Sequence, residues 1–386
     1  MSEAKSELPS QRAAADDLQR YEQLWAEARQ VHGVSLGRDA WRRLRRNPSA
    51  MLSLTILVVL SILAFLTPAL PLQSPRQVET LRSFAEPTSE HFWAPHLQTP
   101  SAQAEGTNDE QWAAFWRDVD LKFGKLDAIE KLLLQARVAV FGPYAIGSIC
   151  GTDELGRDLL SRLFWGARVS LIVGVVATLV SLVIGVSYGA ISGYMGGRVD
   201  NIMMRLVDVM YSIPFIFVVI FIISILSEDS IKAWLIDHGI DRITIFFFLV
   251  GAIYWLTMAR VVRGQVISLK HEQFVEAART LGAGRMRIVF RHLVPNLFSV
   301  IIVYLTLTIP RVMLFEAFLS FLGLGVEPPD VSWGLLANEG VRVITPVKIY
   351  WWLVVFPGIA LGVTLFALNF FGDGLRDALD PKLKNR

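Results

Sequence analysis

The stretch VSLIVGVVATLVSLVIGVSYGAISGYMGG, residues 169–197, is an apolar run without a single charged residue. A helix needs about 20 such residues to cross the roughly 30 Å hydrocarbon core of a bilayer, so the run predicts a membrane span at 169–191. Small residues four positions apart form one helix face, which lets a second helix approach closely. We expect that second helix to lie in the same chain, with a helix of another chain as the alternative. The ridge consists of Gly185, Gly189, Gly193 and Gly197.

The whole chain has the composition of a membrane protein. Of its 386 residues, 53% are hydrophobic and only 19% are charged, below the roughly 25% charged residues of soluble domains; the mean hydropathy is +0.44. A net charge of +2 gives no reason to expect a nucleic-acid partner. The sequence predicts an all-α polytopic protein with six transmembrane helices in a lipid bilayer. The other five runs lie at 50–70, 209–226, 243–262, 297–315 and 350–371.

The basic residues predict the orientation of the spans, because Lys and Arg favour short cytoplasmic loops. Arginines precede the first span, and both the loop at 263–296 and the tail at 372–386 are basic, whereas the loops after the third and fifth spans hold few cations. We therefore expect both termini in the cytoplasm. The arm is 1–49, the first span 50–70, the outer segment 71–168 and the core 169–371. The arginines before the first span are Arg42, Arg43, Arg45 and Arg46.

The outer segment, 71–168, carries aromatic and aliphatic residues at helical spacing. The pattern predicts one or two amphipathic helices on the outer face or against the membrane surface. We expect a packed cap rather than a docking surface for a soluble partner. The residues of the pattern are Trp112, Phe115, Trp116, Val119, Phe123, Leu126 and Leu133.

Motifs for catalysis and metal binding lack the context that they need. The G-x-S-x-G pattern at 33–37 would make Ser35 a hydrolase nucleophile only between a strand and a helix, but it lies in a polar arm. His91 and His96 flank a proline and make a weak metal signal, so we expect a surface loop there. Cys150 is the only cysteine, which excludes an internal disulfide and a cysteine-based zinc site.

The chain also lacks its own source of energy. Its only Gly-Lys pair, at 124–125, is followed by Leu126 rather than by the Ser or Thr of a phosphate-binding loop. Ion-driven carriers keep ionisable residues within their spans, and here Arg260, Arg311 and Glu316 lie near predicted span ends. We predict no enzyme activity, metal or cofactor in this chain, and energy supplied by another polypeptide. A self-sufficient channel or ion-driven carrier is the alternative.

The loop between the fourth and fifth spans reads EAARTLGAGRMRIVFRHLVPN at 276–296. It is basic and helical in pattern, too polar to span a bilayer, and suited to docking into a soluble protein. Gly282 and Gly284 allow a sharp turn, because glycine adopts positive φ at little cost. Pro295 marks the start of the next helix, since proline is tolerated in a first helical turn.

This loop resembles the EAA loop of ABC-importer permeases, although His292, Leu293 and Val294 stand where Ile-x-Leu is expected before Pro295. Further stretches are similar to the C-type subunit of oligopeptide and dipeptide permeases, and the resemblance covers residues 37–72 and 150–386. Residues 73–149 depart from the family's usual short outer loop. The stretches are GRDAWRRLRRNPSAMLSL (37–54), GTDELGRDLLSRLFWGARVSL (151–171), EAFLSFLGLGVEPPDVSWG (316–334) and NFFGDGLRDALDPKL (369–383).

The resemblance implies a type I ABC importer permease fold in a bacterial cytoplasmic membrane. It implies a homologous B-type permease, two ABC ATPase subunits that bind the ATP, and an extracytoplasmic peptide-binding protein as partners. Peptide is the implied cargo, and nickel or another small solute is the alternative. The residues implied in ATPase coupling are Glu276, Ala277, Ala278, Gly282 and Pro295. As candidates for the translocation path we name Tyr211, Ser212, Pro214, Arg311 and Glu316.

Overall fold

The computed structural model describes residues 36–89, 93–97, 108–226, 228–238 and 242–380, and most of them are helical. Ser35, His91, most of the N-terminal arm and the end of the tail lie outside these ranges. Within them, five helices are long and apolar enough to cross a membrane. This confirms the all-α membrane fold. The five are α2 (Pro48–Phe65), α5 (Leu159–Met195), α9 (Arg242–Leu269), α13 (Phe298–Phe321) and α15 (Trp352–Leu379); α1 (Leu36–Arg46) precedes them.

The third predicted span, at 209–226, is not one straight helix. It consists of α6 (Gly197–Ser212) and α7 (Phe215–Leu226), which meet at an angle of 81°. Pro214 explains the break, because a proline pushes the preceding residue out of the helical conformation. Ile213 accordingly has φ −85° and ψ 121°. The described residues thus contain six spans only if this bent pair counts as one. The short α8 (Asp229–Asp237) follows.

Helix α5 begins at Leu159, well before residue 169, where hydropathy placed the start of the span. Its first turns are charged, so apolar patterning did not detect them. Asp158 caps the helix by accepting a hydrogen bond from the Ser161 N–H at 2.8 Å. Arg162 is 1% exposed and lies 2.6 Å from Asp153, with Glu339 on its other side. Buried, compensated charges therefore extend the helix beyond its apolar section.

The predicted glycine ridge of α5 packs against α9 within the same chain. A Cβ atom at Gly185 would lie 2.6 Å from Met258 Cβ, and one at Gly189 would lie 2.3 Å from the Ala259 carbonyl oxygen. Gly193 approaches the Arg263 carbonyl in the same way, at 2.8 Å. These distances leave no room for a side chain, so the two backbones are in direct contact. Gly197, by contrast, has no heavy atom within 4 Å of a Cβ position and does not belong to the contact.

The remaining helices complete the bundle around this pair. Helix α14 (Trp333–Arg342) packs between α5 and α15, and the Trp333 indole donates a hydrogen bond to the Leu163 carbonyl at 3.0 Å. Helix α1 lies against the C-terminal end of α15 through Ala40 and Leu44, which contact Ala378. The N-terminal and C-terminal segments of the described chain therefore meet at one end of the bundle.

The outer segment contains two helices, α3 (Asn108–Phe123) and α4 (Ala128–Phe141), as its pattern predicted. Two short strands, β1 (Ala94–Pro95) and β2 (Tyr144–Ala145), pair antiparallel beside them. The helices bury a common apolar face that continues to Trp165 near the start of α5. Of the predicted pattern, Trp112 stays exposed, and Leu134 rather than Leu133 is fully buried. The buried set is Leu97, Phe115, Val119, Phe123, Leu126 and Leu134.

His96 is fixed inside this outer unit. Its Nε2 atom accepts a hydrogen bond from the Ser74 N–H at 2.7 Å, and its carbonyl oxygen accepts one from Lys122 Nζ at 2.7 Å. Burial, followed by the positive charges of Lys122 and Arg137, lowers the pKa of His96 from 6.5 to about 3. The folded protein therefore holds this imidazole neutral, with Nε2 as an acceptor.

We expect Gly189→Ala to destabilise the bundle by about 1–3 kcal/mol, because the new methyl group meets the Ala259 carbonyl. Gly362→Ala in α15 is the matched control, since nothing lies within 4 Å of its Cβ position. That variant should be unchanged or up to about 1 kcal/mol more stable, as alanine favours helices. Thermal unfolding of the purified chain in detergent measures both, and equal midpoints for the two variants would contradict the direct backbone contact.

We expect the outer unit to lose stability as the pH falls below 6.5. Between pH 6.5 and about 3, His96 is protonated in the unfolded chain but stays neutral in the folded protein, so unfolding becomes more favourable as the pH falls. The slope is at most about 1.4 kcal/mol per pH unit. His96→Gln keeps an acceptor but cannot titrate. The difference between wild type and variant in unfolding midpoint, measured at pH 7.5 and pH 5, isolates this residue; an identical pH dependence would refute the assignment.

Candidate functional site

The segment between α9 and α13 forms the candidate site, and we call the end of the bundle that carries it the loop end. Helix α9 continues to Leu269, beyond the predicted start of the loop at 263. Helix α10 (Gln273–Thr280) follows. A distorted helix then runs through α11 (Arg285–Arg287), a π-helical stretch (Ile288–Leu293) and α12 (Val294–Asn296). The segment is thus two helical pieces joined by a tight turn.

Gly282 makes that turn, as the sequence predicted. Its φ is +83°, and its N–H donates to the Arg279 carbonyl at 3.0 Å. The Ala283 N–H reaches back to the Ala278 carbonyl, also at 3.0 Å. These two bonds are the Schellman C-cap, which favours glycine at the left-handed position. Gly284 has φ −67° and ψ 156°, a conformation open to any residue. The turn therefore depends on Gly282 and not on Gly284.

Pro295 lies at the beginning of α12, shortly before α13 starts, which agrees with the predicted helix start. The π-helical turn precedes it, and the Val294 N–H bonds to the Val289 carbonyl five residues back. A proline in a regular helix loses a hydrogen bond and clashes with the preceding turn. The wider turn accompanies the proline where the loop passes into the span.

One side of the loop is built into the core. Ala278 is buried and faces the bundle, whereas Glu276 and Ala277 are exposed and face away from it. The loop is consequently held against the ends of α5 and α9. The loop contributes Val275, Ala278, Ile288, Val289 and Leu293, and the two helices contribute Val186, Ala190, Met258, Val262 and Val266.

The other side of the loop is exposed and mixed in character. Leu281 is 87% exposed beside the turn, and Phe274, Met286 and Phe290 are exposed as well. Contiguous exposed apolar residues with a charged rim are typical of a surface that another protein covers. Of the predicted coupling residues, Glu276, Ala277, Gly282 and Pro295 lie on this side and Ala278 does not. The rim consists of Arg279, Arg285, Arg287 and Arg291.

A partly buried ion pair that the sequence did not reveal lies behind the loop. Arg263 on α9 donates from Nε and Nη2 to the two carboxylate oxygens of Asp200 on α6, both at 2.6 Å. Ser192 at the end of α5 donates to the same carboxylate at 2.5 Å. This bidentate arrangement ties three helices together at the loop end. The sequence signal that could have revealed the pair was Asp200, the acidic residue that follows the glycine ridge in GGRVD (196–200).

The predicted path residues divide into two groups. Tyr211, Ser212 and Pro214 are exposed around the break between α6 and α7, and Arg311 is exposed on α13. Glu316 lies near the end of α13, as predicted, but it is 0% exposed, so its side chain does not line an open surface of this subunit. Its carboxylate accepts hydrogen bonds from Ser320 at 2.7 Å and from Ser170 at 3.4 Å. Glu316 therefore joins α13 to α5 inside the subunit.

Tyr211 has polar neighbours that the sequence analysis did not single out. Its hydroxyl lies 2.5 Å from Thr257 Oγ1 on α9, and the Arg260 guanidinium carbon lies 4.0 Å from its ring centre. Arg260 also donates to Asp208 on α6 at 2.6 Å. Arg260, which the sequence placed near the end of a predicted span, thus bridges α9 to α6. Two ionisable residues at matching depths of neighbouring spans were the signal that could have revealed the pair.

Comparison with known proteins identifies the relatives of this chain. A family described as binding-protein-dependent transport system inner membrane component matches residues 185–385. A second family, the N-terminal TM domain of oligopeptide transport permease C, matches residues 35–87. The first match includes the loop and the helix break. Residues 88–184, which hold most of the outer segment, lie between the two matches.

Individual relatives agree with both families. The chain is 36% identical to the dipeptide transport system permease protein DppC of Bacillus subtilis over 351 residues, 91% of this chain and 87% of that protein. It is 38% identical to the oligopeptide transport system permease protein OppC of Escherichia coli K12 over 358 residues, 93% and 95% of the two chains. Identity to OppC of Haemophilus influenzae is 46% over 232 residues, 60% and 70% of the two chains.

We expect Gly282→Val to loosen the turn, because a left-handed conformation costs a β-branched residue about 1–2 kcal/mol. Its Cβ position is free of neighbours, so the effect is purely one of the backbone. Hydrogen exchange of the Ala283 amide, which bonds to the Ala278 carbonyl in the turn, should accelerate about 5–30-fold. Gly284→Val is the matched control, equally free of neighbours but at negative φ. Similar exchange in both variants would contradict the assigned turn.

Proposed function

The chain belongs to the family of binding-protein-dependent inner membrane transport components, as a permease of the OppC/DppC type, and we propose that it serves an ATP-driven importer of peptides. Permeases of this family are non-catalytic, multi-pass membrane components of ABC complexes. Because the chain belongs to this family, we prefer this function to the self-sufficient channel or ion-driven carrier considered above. The observation that carries the proposal is the loop at 263–296, anchored on one side and exposed on the other.

We propose that the exposed side of this loop docks on one of two ATPase subunits. Glu276 and Ala277 lie on that side of α10, close to the tight turn at Gly282 and the exposed Leu281. Glu276 is acidic within a basic rim, which gives the surface a defined charge pattern for a complementary partner. ATP would then be bound and hydrolysed outside this chain.

The anchored side supplies the mechanical link in this proposal. Val275, Ile288 and Leu293 pack directly on α5 and α9, and those helices are locked together by the glycine contact. A displacement of the loop by nucleotide-driven closure of the ATPases therefore moves a rigid pair of spans. Two discrete arrangements of such an element, biased by nucleotide, are what alternating access requires.

The remaining partners follow from the same proposal. A homologous B-type permease would cover the exposed apolar residues of α6 and α7, such as Leu206 and Phe217, and complete a path that neither chain encloses alone. An extracytoplasmic peptide-binding protein would deliver cargo near the outer segment. Both termini would lie in the cytoplasm of a bacterial cell, on the side of the ATPases.

Peptide is preferred as the cargo because the relatives described above are named for dipeptide or oligopeptide transport. Nickel or another small solute remains the alternative within the same type of complex. A competition assay separates the two: unlabelled peptide should block uptake of labelled peptide, and nickel should not. Inhibition by nickel alone would reverse the preference.

We expect affinity purification of the tagged chain in mild detergent to recover a second permease and ATPase subunits. Glu276→Arg should reduce recovery of the ATPases about tenfold, because it reverses the charge on the docking side, while the second permease is retained. Glu228→Arg, an exposed residue outside the loop, is the charge-matched control. ATPase recovery that is unaffected by Glu276→Arg, or a chain that purifies alone, would refute the docking role of the loop.

A further inference from the structure

We infer that Asp208 and Arg260, together with Tyr211 and Thr257, form a site in the translocation path that binds the charged ends of a zwitterionic peptide. The inference rests on the proposed peptide transport and assigns a cargo-binding role to named residues. The four side chains form one connected group: Asp208 bonds to Arg260 at 2.6 Å, Arg260 stacks on Tyr211 at 4.0 Å, and Tyr211 bonds to Thr257 at 2.5 Å.

The depth of this group is the first step of the argument. Arg260 lies about 14 Å from the end of α9 at Leu269, and Asp208 lies about 17 Å along α6 from Gly197. Helix α9 is about 42 Å long, roughly 12 Å more than a 30 Å hydrocarbon core. Depending on how that excess is divided between the two ends of α9, Arg260 lies about 2–14 Å inside the core. The pair therefore lies in the half of the hydrocarbon core nearer the loop end.

Exposure is the second step. The side chains of Asp208 and Arg260 are 66% and 43% exposed on the subunit surface. Charged groups at this depth are costly in lipid and face the bundle interior or a water-filled cavity. The exposed backbone break at Ser212 and Pro214 follows on the same helix, and non-helical backbone is tolerated at this depth only inside protein or beside water. Both observations indicate a hydrated space.

A comparison with the neighbouring ion pair is the third step. Asp200 and Arg263 join the same two helices, but they are linked by two hydrogen bonds and a further one from Ser192, and Asp200 is buried. Among the described residues, the Asp208–Arg260 pair has a single hydrogen bond. Asp200 and Arg263 already hold the helices together, so the open pair is left with unused donors and acceptors for a ligand.

The chemistry of these groups selects the ligand. A guanidinium presents a planar fork of N–H donors that matches a carboxylate, and the Tyr211 and Thr257 hydroxyls can add to it. A carboxylate such as Asp208 accepts hydrogen bonds from an ammonium group. A short peptide carries one group of each kind at its two ends, whatever its side chains. Binding at the ends accommodates different sequences, which suits a permease that receives its cargo from a separate binding protein.

The first test asks whether the site is hydrated and occupied by peptide. In the complete complex, reconstituted in liposomes, Thr257→Cys should react with a charged thiol reagent, and trialanine should slow the reaction about fivefold or more. Trialanine amide, which lacks the carboxylate, should protect much less. The native Cys150 gives little background, because burial, followed by the negative charge of Asp158, raises the pKa of its thiol to about 11. No reaction at Thr257→Cys would mean that lipid or the second permease covers the site and would overturn the inference.

The second test measures uptake of peptide by the same complex at equal occupancy of the binding protein. Arg260→Gln should lower the uptake of trialanine about tenfold and affect its amide much less. Arg198→Gln on α6 is the matched control and should leave uptake unchanged, since Arg198 lies at the loop end, away from the site. Restoration of normal uptake by the exchange Asp208→Arg with Arg260→Asp would show a purely structural pair and overturn the inference. A wild-type complex that transports no peptide would overturn the proposed function as well, which distinguishes the two failures.

Discussion

The backbone contact between α5 and α9 is the constraint on which the rest of this subunit depends. Gly185, Gly189 and Gly193 remove the side chains that would separate the two helices, and carbonyl groups of α9 fill the space. Van der Waals packing is the main attraction between helices in lipid, where apolar burial offers no further gain. A contact this close fixes the axial register of the pair as well as its separation. Every element that packs against both helices is therefore positioned by that register.

The loop at 263–296 is the clearest example of an element that this register positions. Its buried residues sit on α5 and α9 at once, so they form a single platform only while the two helices keep their register. Arg263 pairs with Asp200 and Arg260 with Asp208, so two ion pairs on neighbouring turns of α9 reach α6, the helix that follows α5. The first is bidentate, with its carboxylate buried, and the second is open and singly bonded. One helix pair thus carries a structural connection at the loop end and a polar surface deeper in the membrane.

The sequence predicted those features that depend on local pattern. Apolar length located five helices, four-residue spacing identified the glycine contact, and glycine chemistry identified the turn at Gly282. It could not predict features that depend on distant partners. Arg162 lies outside the apolar run that predicted the span at 169–191, yet Asp153 and Glu339 compensate its charge inside the protein. Glu316 looked like a path residue, yet Ser320 and Ser170 hold it in the core.

The buried cluster around Arg162 also constrains the order in which the protein can be completed during synthesis. Arg157 and Arg162 share Asp153 locally, but the second carboxylate, Glu339, is separated from Arg162 by 177 residues. A ribosome adds about 5–20 residues per second, so one positive charge of the cluster stays uncompensated for roughly 9–35 s after Arg162 emerges. The outer end of α5 therefore cannot reach its final, desolvated state until α14 arrives. A chain truncated before α14 lacks Glu339 and so keeps an unneutralised arginine at that end, whereas the complete subunit does not.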